Sequence, residues 1–336
     1  MKRPPSSRRV SPIGLDLSPA EIRMVQVIGT PDQFEIFRSA VIPRRGPIES
    51  WTKLASIDVE ALAGTLFRRG FSGDRVTIAA PREACSTHLI DLPSRDGKAP
   101  VDAIAKAEVG RAKRCDPSSF ELAAWYLPSR GRGEQGVAVA CDRTQLESRI
   151  ASLEAIGLRV VGVDLAEWGL CRTFGPLLAA EPESVHAVVQ VGWSSTIGVL
   201  TIGGQVVYTR QFSRGISDLF ERLCGRTTLS SSDAAAFLDA MPNDADGSAG
   251  DLMVRRSLAS LGKDLAAELD TAVTYVTHMY RSAPVGSIFL AGYGADRAEL
   301  AGEFDRVMGM PVHWAEASRG GRRLELATGL AGRFDA

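Results

Sequence analysis

Three short runs of this 336-residue chain put hydroxyl, carboxylate or glycine residues at the ends of apolar stretches. The first is Asp16-Leu17-Ser18-Pro19, after the run that starts at Ile13. The second is Gly192-Trp193-Ser194-Ser195-Thr196, after the run that ends at Val191. The third is Gly292-Tyr293-Gly294, after VGSIFLA. A tight turn at a strand end aims backbone N–H groups and hydroxyls outward, where they can hold an anion. Asp16 stands where a strand end can present a carboxylate. Taken singly, each turn reads first as an ordinary turn between strands. Together they could act as two facing hairpin loops that grip a nucleotide's phosphates, with a third turn admitting the base.

Turns of this kind need strands to hold them, and the pattern supplies them twice. IGLDLSPAEIRMVQVI reads as strand, tight turn, strand, and 33–42 continues as a third strand. HAVVQVGWSSTIGVLTIGGQVVYTR repeats the phrase, with Gly203-Gly204 as a hairpin signal between β-rich runs. After the first phrase, Leu54, Val59, Leu62, Leu66 and Phe67 mark the apolar face of a helix over 51–70, followed by a short strand over 76–80. From 85 to 164, strands expected at 87–92, 122–127, 137–141 and 158–163 alternate with helices at 101–113 and 144–156, the texture of a small α+β insert. Thr144 and Glu147 fit a capping box for the second of those helices. A connecting helix is expected at 164–178 and a short one at 213–223. A long one within 252–282 should bury Leu265, Leu269, Val273, Val276 and Tyr280. Helix, strand and a last small-residue helix over 324–333 close the chain.

Composition removes several classes of function. A net charge of −1 gives no global pull toward nucleic acid. The five cysteines form no CxxC pair and the four histidines no ligand cluster, which argues against a disulfide framework and against a zinc site. No run approaches the roughly 18 apolar residues that span a bilayer. The basic stretch MKRPPSSRRV lacks the apolar core of a signal peptide and reads as a flexible arm.

The order of the three turns resembles the PilM-like family, actin-like proteins of type IV pilus assembly and their relatives in type II secretion. GLDLSPAEIRMVQV stands at that family's first phosphate loop, and VVQVGWSSTIGVLTIGGQVVYTRQFSRG at its second. IFLAGYGADRAELAGEFDRVMGMPVHW stands at its adenosine loop, VTIAAPREACSTHLIDLP at the entry to its insert, and LRVVGVDLAEWGLCR at the return. The resemblance implies an actin-like, ribonuclease H-like α/β fold of two domains with a small α+β insert. Its parts would be a basic arm at 1–11, a first domain from 12–84 and 165–184, and an insert at 85–164. A second domain would comprise 185–226 and 284–336, with a helical subdomain at 227–283. It implies a cytoplasmic adapter, peripheral to the inner membrane through its partner. That partner would be the N-terminal tail of a PilN-like membrane protein, seated between the first domain and the insert. Other pilus or secretion platform components would follow, with no nucleic acid.

The same resemblance assigns a cofactor site to Asp16, Ser18, Arg23, Gly192, Ser194, Ser195, Thr196, Gly292 and Gly294, with ATP as the cofactor and Mg only as its companion. Several residues depart from the family pattern. Ser18 replaces a glycine and is followed by Pro19, which has no N–H to give. Arg23 replaces a lysine and keeps its charge. Gln190 stands where the family has an Asp, and an amide cannot serve as general base or hold magnesium through water. Trp193 replaces a small residue at the phosphate approach. These changes predict a degenerate site that binds nucleotide weakly or not at all, with no catalytic residue and no protein-borne metal. An active ATPase or small-molecule kinase of the superfamily is the alternative; Gln190 and the absence of a cysteine zinc motif disfavour it. A filament-forming actin homologue is a third reading, disfavoured because such proteins carry an amphipathic membrane helix after a linker. Glu108 matches a family acidic residue, and it reads first as a solvated helix carboxylate.

Overall fold

The computed structural model describes residues 9–30, 33–45, 54–95, 98–128, 134–224, 238, 240, 249–280, 283–314 and 323–333. In the first half, strands β1 (Arg9–Val10), β2 (Ile13–Leu17), β3 (Glu21–Thr30) and β4 (Gln33–Pro43) lead into helix α1 (Ser56–Arg68) and strand β5 (Arg75–Ala79). The insert follows as β6 (Cys85–Leu92), α2 (Val101–Lys113), β7 (Phe120–Tyr126) and β8 (Glu134–Asp142). The chain then returns through α3 (Arg143–Glu154), β9 (Arg159–Asp164), α4 (Ala166–Thr173) and α5 (Gly175–Leu178). The second half holds β10 (Val185–Val191), β11 (Thr196–Ile202), β12 (Gln205–Phe212), α6 (Ile216–Cys224), α7 (Ala249–Met279), β13 (Val285–Gly292), α8 (Ala298–Met308), β14 (Val312–Trp314) and α9 (Glu325–Ala331).

The two large sheets are built alike. The first runs β4-β3-β2-β5-β9, with β1 beside β3 as well, and the second runs β12-β11-β10-β13-β14. In each, an antiparallel three-strand meander is extended by two parallel strands. Sequence dictates this: β10 (VHAVVQV) is buried at every residue, as a central strand covered on both faces must be. Gly203 and Gly204 take φ of 60° and 73° between the paired residues Ile202 and Gln205, the two-residue turn that suits a twisted hairpin. The insert is a third sheet, β6-β8-β7, with α2 packed on one face around Ala105, Val109 and Phe120.

Several expected boundaries change. The insert was expected to run to 164, but β9 pairs in parallel with β5 and Leu153 of α3 lies in the first sheet's core, so the insert's sheet ends at Asp142. Asp142 also caps α3, accepting the Gln145 N–H at 2.9 Å in place of the expected Thr144–Glu147 box. The helix expected in a separate subdomain over 227–283 packs Leu258, Leu265, Leu269 and Val276 into the same core as β10 and β13. Most of 225–248 lies outside the described residues.

The two halves also exchange helices. α4, from the first half, packs Leu170 and Phe174 on Val188, Val199 and Phe289 of the second sheet. α9, from the end of the chain expected in the second domain, packs Ala327 and Ala331 on Val25 and Val27 of the first sheet. Glycine makes the crossing feasible: a Cβ on Gly329 would sit 1.7 Å from the Gly169 carbonyl oxygen, and one on Gly14 2.0 Å from that of Ala327. A side chain at Gly329 would push α9 off α4, and one at Gly14 would push it off β2.

Candidate functional site

The opening hairpins of the two halves face each other across the cleft that the crossing helices close from below. Ser18 donates its N–H to the Glu21 carbonyl at 3.0 Å, and Gly192 donates to the Ser195 carbonyl at 3.0 Å. Both are therefore four-residue loops of identical register, closed by Leu17–Ile22 and Val191–Thr196. The third turn arrives beside the second because β13 runs parallel to β10, with Gly292 opposite Val191. Gly292 has φ of 84°, and a Cβ there would lie 2.2 Å from the Val191 carbonyl oxygen. The Tyr293 N–H donates to that same oxygen at 2.8 Å.

Seven of the nine predicted residues line one small cavity. Asp16, Ser18 and Arg23 come from the first hairpin, Gly192, Ser194 and Ser195 from the second, and Gly292 from the third turn. Thr196 and Gly294 do not line it. Thr196 is fully buried and donates its hydroxyl to the Arg214 carbonyl, while Gly294, with φ of 69°, packs near Leu258. The cavity holds about 120 Å³, whereas small-molecule sites run to about 300–1,000 Å³.

Side chains occupy the remaining space. Asp16 and Arg23 are direct cross-strand partners on β2 and β3, and the guanidinium bonds Asp16 Oδ2 at 2.7 Å and Glu21 Oε2 at 2.7 Å. Arg323 bonds the other Glu21 oxygen at 2.7 Å, and the Tyr293 hydroxyl reaches Glu21 Oε2 at 3.3 Å. The Tyr293 ring meets both cations, 5.1 Å from the Arg23 guanidinium and 4.4 Å from that of Arg323. Trp193 meets the edge of Tyr293 at 5.8 Å and stacks on Phe220 at 6.1 Å. Tyr293 and Arg323 thus tie the second half of the chain to Glu21 and Arg23 of the first.

The charges in this clasp are mutually supported. Burial acts to raise the Glu21 carboxyl, but Arg23 and Arg323 outweigh it and hold the group below its ordinary value. Burial pushes the Tyr293 phenol up, so it stays a donor. Glu325, at the start of α9 and fully buried, is pushed by burial up to about 7 despite Arg23 and Arg323. A second strap crosses the cleft at the entrance to the insert. Arg82 pairs with the buried Glu167 of α4, which also accepts from Thr209 Oγ1 at 3.0 Å on β12.

A larger groove of about 610 Å³ lies between the insert and the first domain. Its floor is apolar, with Ala123, Val139 and Cys141 from the insert, Leu146 from α3 and Trp168 from α4. Its rim is charged: Arg172 pairs with Asp164 at 3.0 Å, Glu121 pairs with Arg143 at 2.5 Å, and Arg333 donates to the Val163 carbonyl at 2.8 Å. The insert is anchored to the second domain behind the groove. Trp125 meets Trp168 edge-on at 5.5 Å and donates its indole N–H to the Val206 carbonyl at 2.8 Å. Glu108, by contrast, makes an exposed pair with Arg111 on α2, a solvated helix face.

Glu21, Tyr293, Arg323 and Glu325 were absent from the predicted site, although Glu21 and Tyr293 fall inside the quoted motifs. The signal that could have found Tyr293 is its place between two glycines of a turn; for the pair Glu21 and Arg323, 302 residues apart in sequence, no local signal exists. Among the described residues, no group of three or more His, Cys, Asp and Glu side chains is placed to hold a metal ion, and no helix is long and apolar enough to cross a membrane.

The architecture is that of solved actin-like proteins. The chain is similar to a PilM-PilN type IV pilus biogenesis complex, with a TM-score of 0.78 and 19% identity over 98% of this chain and 99% of that one. It is similar to the ethanolamine utilization protein EutJ of Carboxydothermus hydrogenoformans, at 0.58 and 13%, covering 99% and 91%. It is also similar to a ROK family glucokinase from Streptomyces griseus solved with glucose and AMPPNP, at 0.50 and 15%, covering 97% and 98%. No protein-family model matches the sequence, and no curated protein matches it. The fold is actin-like, and its arrangement is PilM-like.

Proposed function

We propose that this protein is an actin-like adapter of a type IV pilus or type II secretion platform. It captures the N-terminal tail of a PilN-like membrane protein in the groove beside the insert, and its nucleotide cleft does not hydrolyse ATP. The observation that carries the reading is the contrast between the two cavities. The groove, about 610 Å³, joins an apolar floor to a charged rim, a match for a short amphipathic segment. The cleft is filled: Arg23 is consumed by Asp16 and Glu21, Tyr293 and Trp193 occupy the approach, and Gln190 offers no carboxylate. A nucleotide with its magnesium does not fit these residues as they stand, and no chemical step is routed through one. The likeness in fold to a PilM-PilN complex supports the partner's class. Attachment to the membrane and to other platform components would pass through that partner.

The test is a titration of the full-length protein with a fluorescent peptide of the PilN-like tail. Ala123 is exposed in the groove, so Ala123→Arg fills the floor without touching the core. It is expected to weaken binding about tenfold or more. Phosphate release from Mg-ATP is expected to stay at background in both proteins. Undiminished peptide binding by Ala123→Arg would remove the groove from the proposal, and robust magnesium-dependent hydrolysis would remove the inactive cleft.

A further inference from the structure

The root of the insert holds two thiols that the adapter reading does not use. Cys85 opens β6, Cys141 lies next to the end of β8, and the two are direct partners in the antiparallel register. On the far side of β8, the Leu127 N–H donates to the Gln135 carbonyl at 2.8 Å. Alternation along that ladder turns the backbone groups of Cys141 toward Glu121 on β7. Its pairing with Cys85 is therefore the non-hydrogen-bonded kind, in which facing Cα atoms come within about 4.5 Å and side chains are closest. That falls inside the span of about 4.4–6.8 Å that a disulfide bridges. Both thiols are free; Cys85 Sγ donates to the Pro81 carbonyl at 3.3 Å and Cys141 Sγ to the Asp142 carbonyl at 3.8 Å.

The pair is also polarised. Cys85 is partly exposed, while Cys141 is buried. The facing Cys141 thiol holds Cys85 below its ordinary value against the pull of burial, helped by Arg82 and Arg149 and opposed by Glu83. Cys141 is pushed up, by the facing Cys85 and by burial. One sulfur is thus prepared to attack and the other to resolve. Cys171, fully enclosed and pushed up by burial to about 12, has no such access.

We propose that Cys85 and Cys141 form a redox-modification site that closes to a cross-strand disulfide when the protein meets a low-molecular-weight disulfide. The Cys85 thiolate attacks one sulfur of that molecule, whose S–S bond breaks. The other small sulfur leaves as a thiolate and takes up the proton that Cys85 released. Cys141, as its thiolate, then attacks the Cys85 sulfur of the mixed disulfide and expels the second small thiolate, which takes the Cys141 proton. Two protein thiols are oxidised and one small disulfide is reduced to two thiols. The bond joins the two chain crossings that tether the insert, and it fixes Cys141 in the floor of the groove.

The experiment is to expose the full-length native protein to glutathione disulfide, quench with acid and map the peptides by mass. A peptide linked from Cys85 to Cys141, released by dithiothreitol, is expected. Cys141→Ser is expected to retain glutathione on Cys85, and Cys85→Ser to react at Cys141 about tenfold more slowly than Cys85 does. Wild-type protein whose Cys85 and Cys141 stay as free thiols while Cys115 takes up glutathione would overturn the proposal. A link from Cys85 to any other cysteine would overturn it too. The wild-type map stands without either variant, so a variant that fails to fold does not rescue the idea.

Discussion

The two opening hairpins have the same backbone and opposite side-chain chemistry. Their four-residue loops close with the same bond in the same register, Ser18 to Glu21 and Gly192 to Ser195. At the position where the first carries Asp16 facing Arg23, the second carries Gln190 facing Ile197. The first hairpin holds its charges in an internal clasp; the second carries the amide of Gln190 and, in its loop, the indole of Trp193. Register in a hairpin is set by the turn and the buried face, and neither needs the polar residues. The architecture therefore survives changes that alter what the site can hold.

The comparison breaks first at Arg23. Arg23→Ala leaves Asp16 and Glu21 buried without their shared cation, and loss of one partner from a buried pair costs about 3–5 kcal/mol. Ile197→Ala, at the equivalent place in the second hairpin, removes a partly buried side chain and should cost about 1 kcal/mol. Urea unfolding of both variants is the measurement. Equal losses would mean that the clasp carries no special share of stability.

The next test turns on Glu325, which sits beneath the first hairpin with its carboxyl raised to about 7 by burial. Between its ordinary value of 4.5 and about 7, the folded chain keeps a proton that the unfolded chain has released. Stability therefore falls as pH rises through that window, by on the order of 3 kcal/mol from this group. Glu325→Gln copies the neutral form, so its melting temperature should change less between about pH 5 and about pH 8 than the wild type's, and should be higher at the upper end. A variant with the wild-type pH dependence would place the proton elsewhere.

These two tests concern residues that the sequence showed unequally. The hairpins were legible because a glycine pair and apolar runs act locally; Gly203-Gly204 and the buried face of β10 are properties of neighbouring residues. Seven of the nine residues expected at the loop tips line one cavity for the same reason. The clasp was not. Glu21 meets Arg323 only after α9 crosses to the first sheet, and Tyr293 fills the cleft only because β13 lies beside β10. The end of the insert was misread because β9 has the same strand texture as the insert's own strands. Only its pairing with β5 assigns it.

The smallest expected effect separates a block in the second hairpin alone from a block in both. Gln190→Asp with Trp193→Gly puts a carboxylate and a small residue into the second loop together. If that loop alone lost the chemistry, the double variant should regain magnesium-dependent phosphate release. The first hairpin argues that it will not. Pro19 still withholds an N–H from the loop, and Arg23 stays bonded to Asp16 and Glu21 at 2.7 Å with Tyr293 against its guanidinium. Nothing in the second loop releases those contacts, so hydrolysis should remain at background while nucleotide affinity changes little. Measurable turnover in the double variant would show the first hairpin still competent, and the clasp would then be a closed state of a working site.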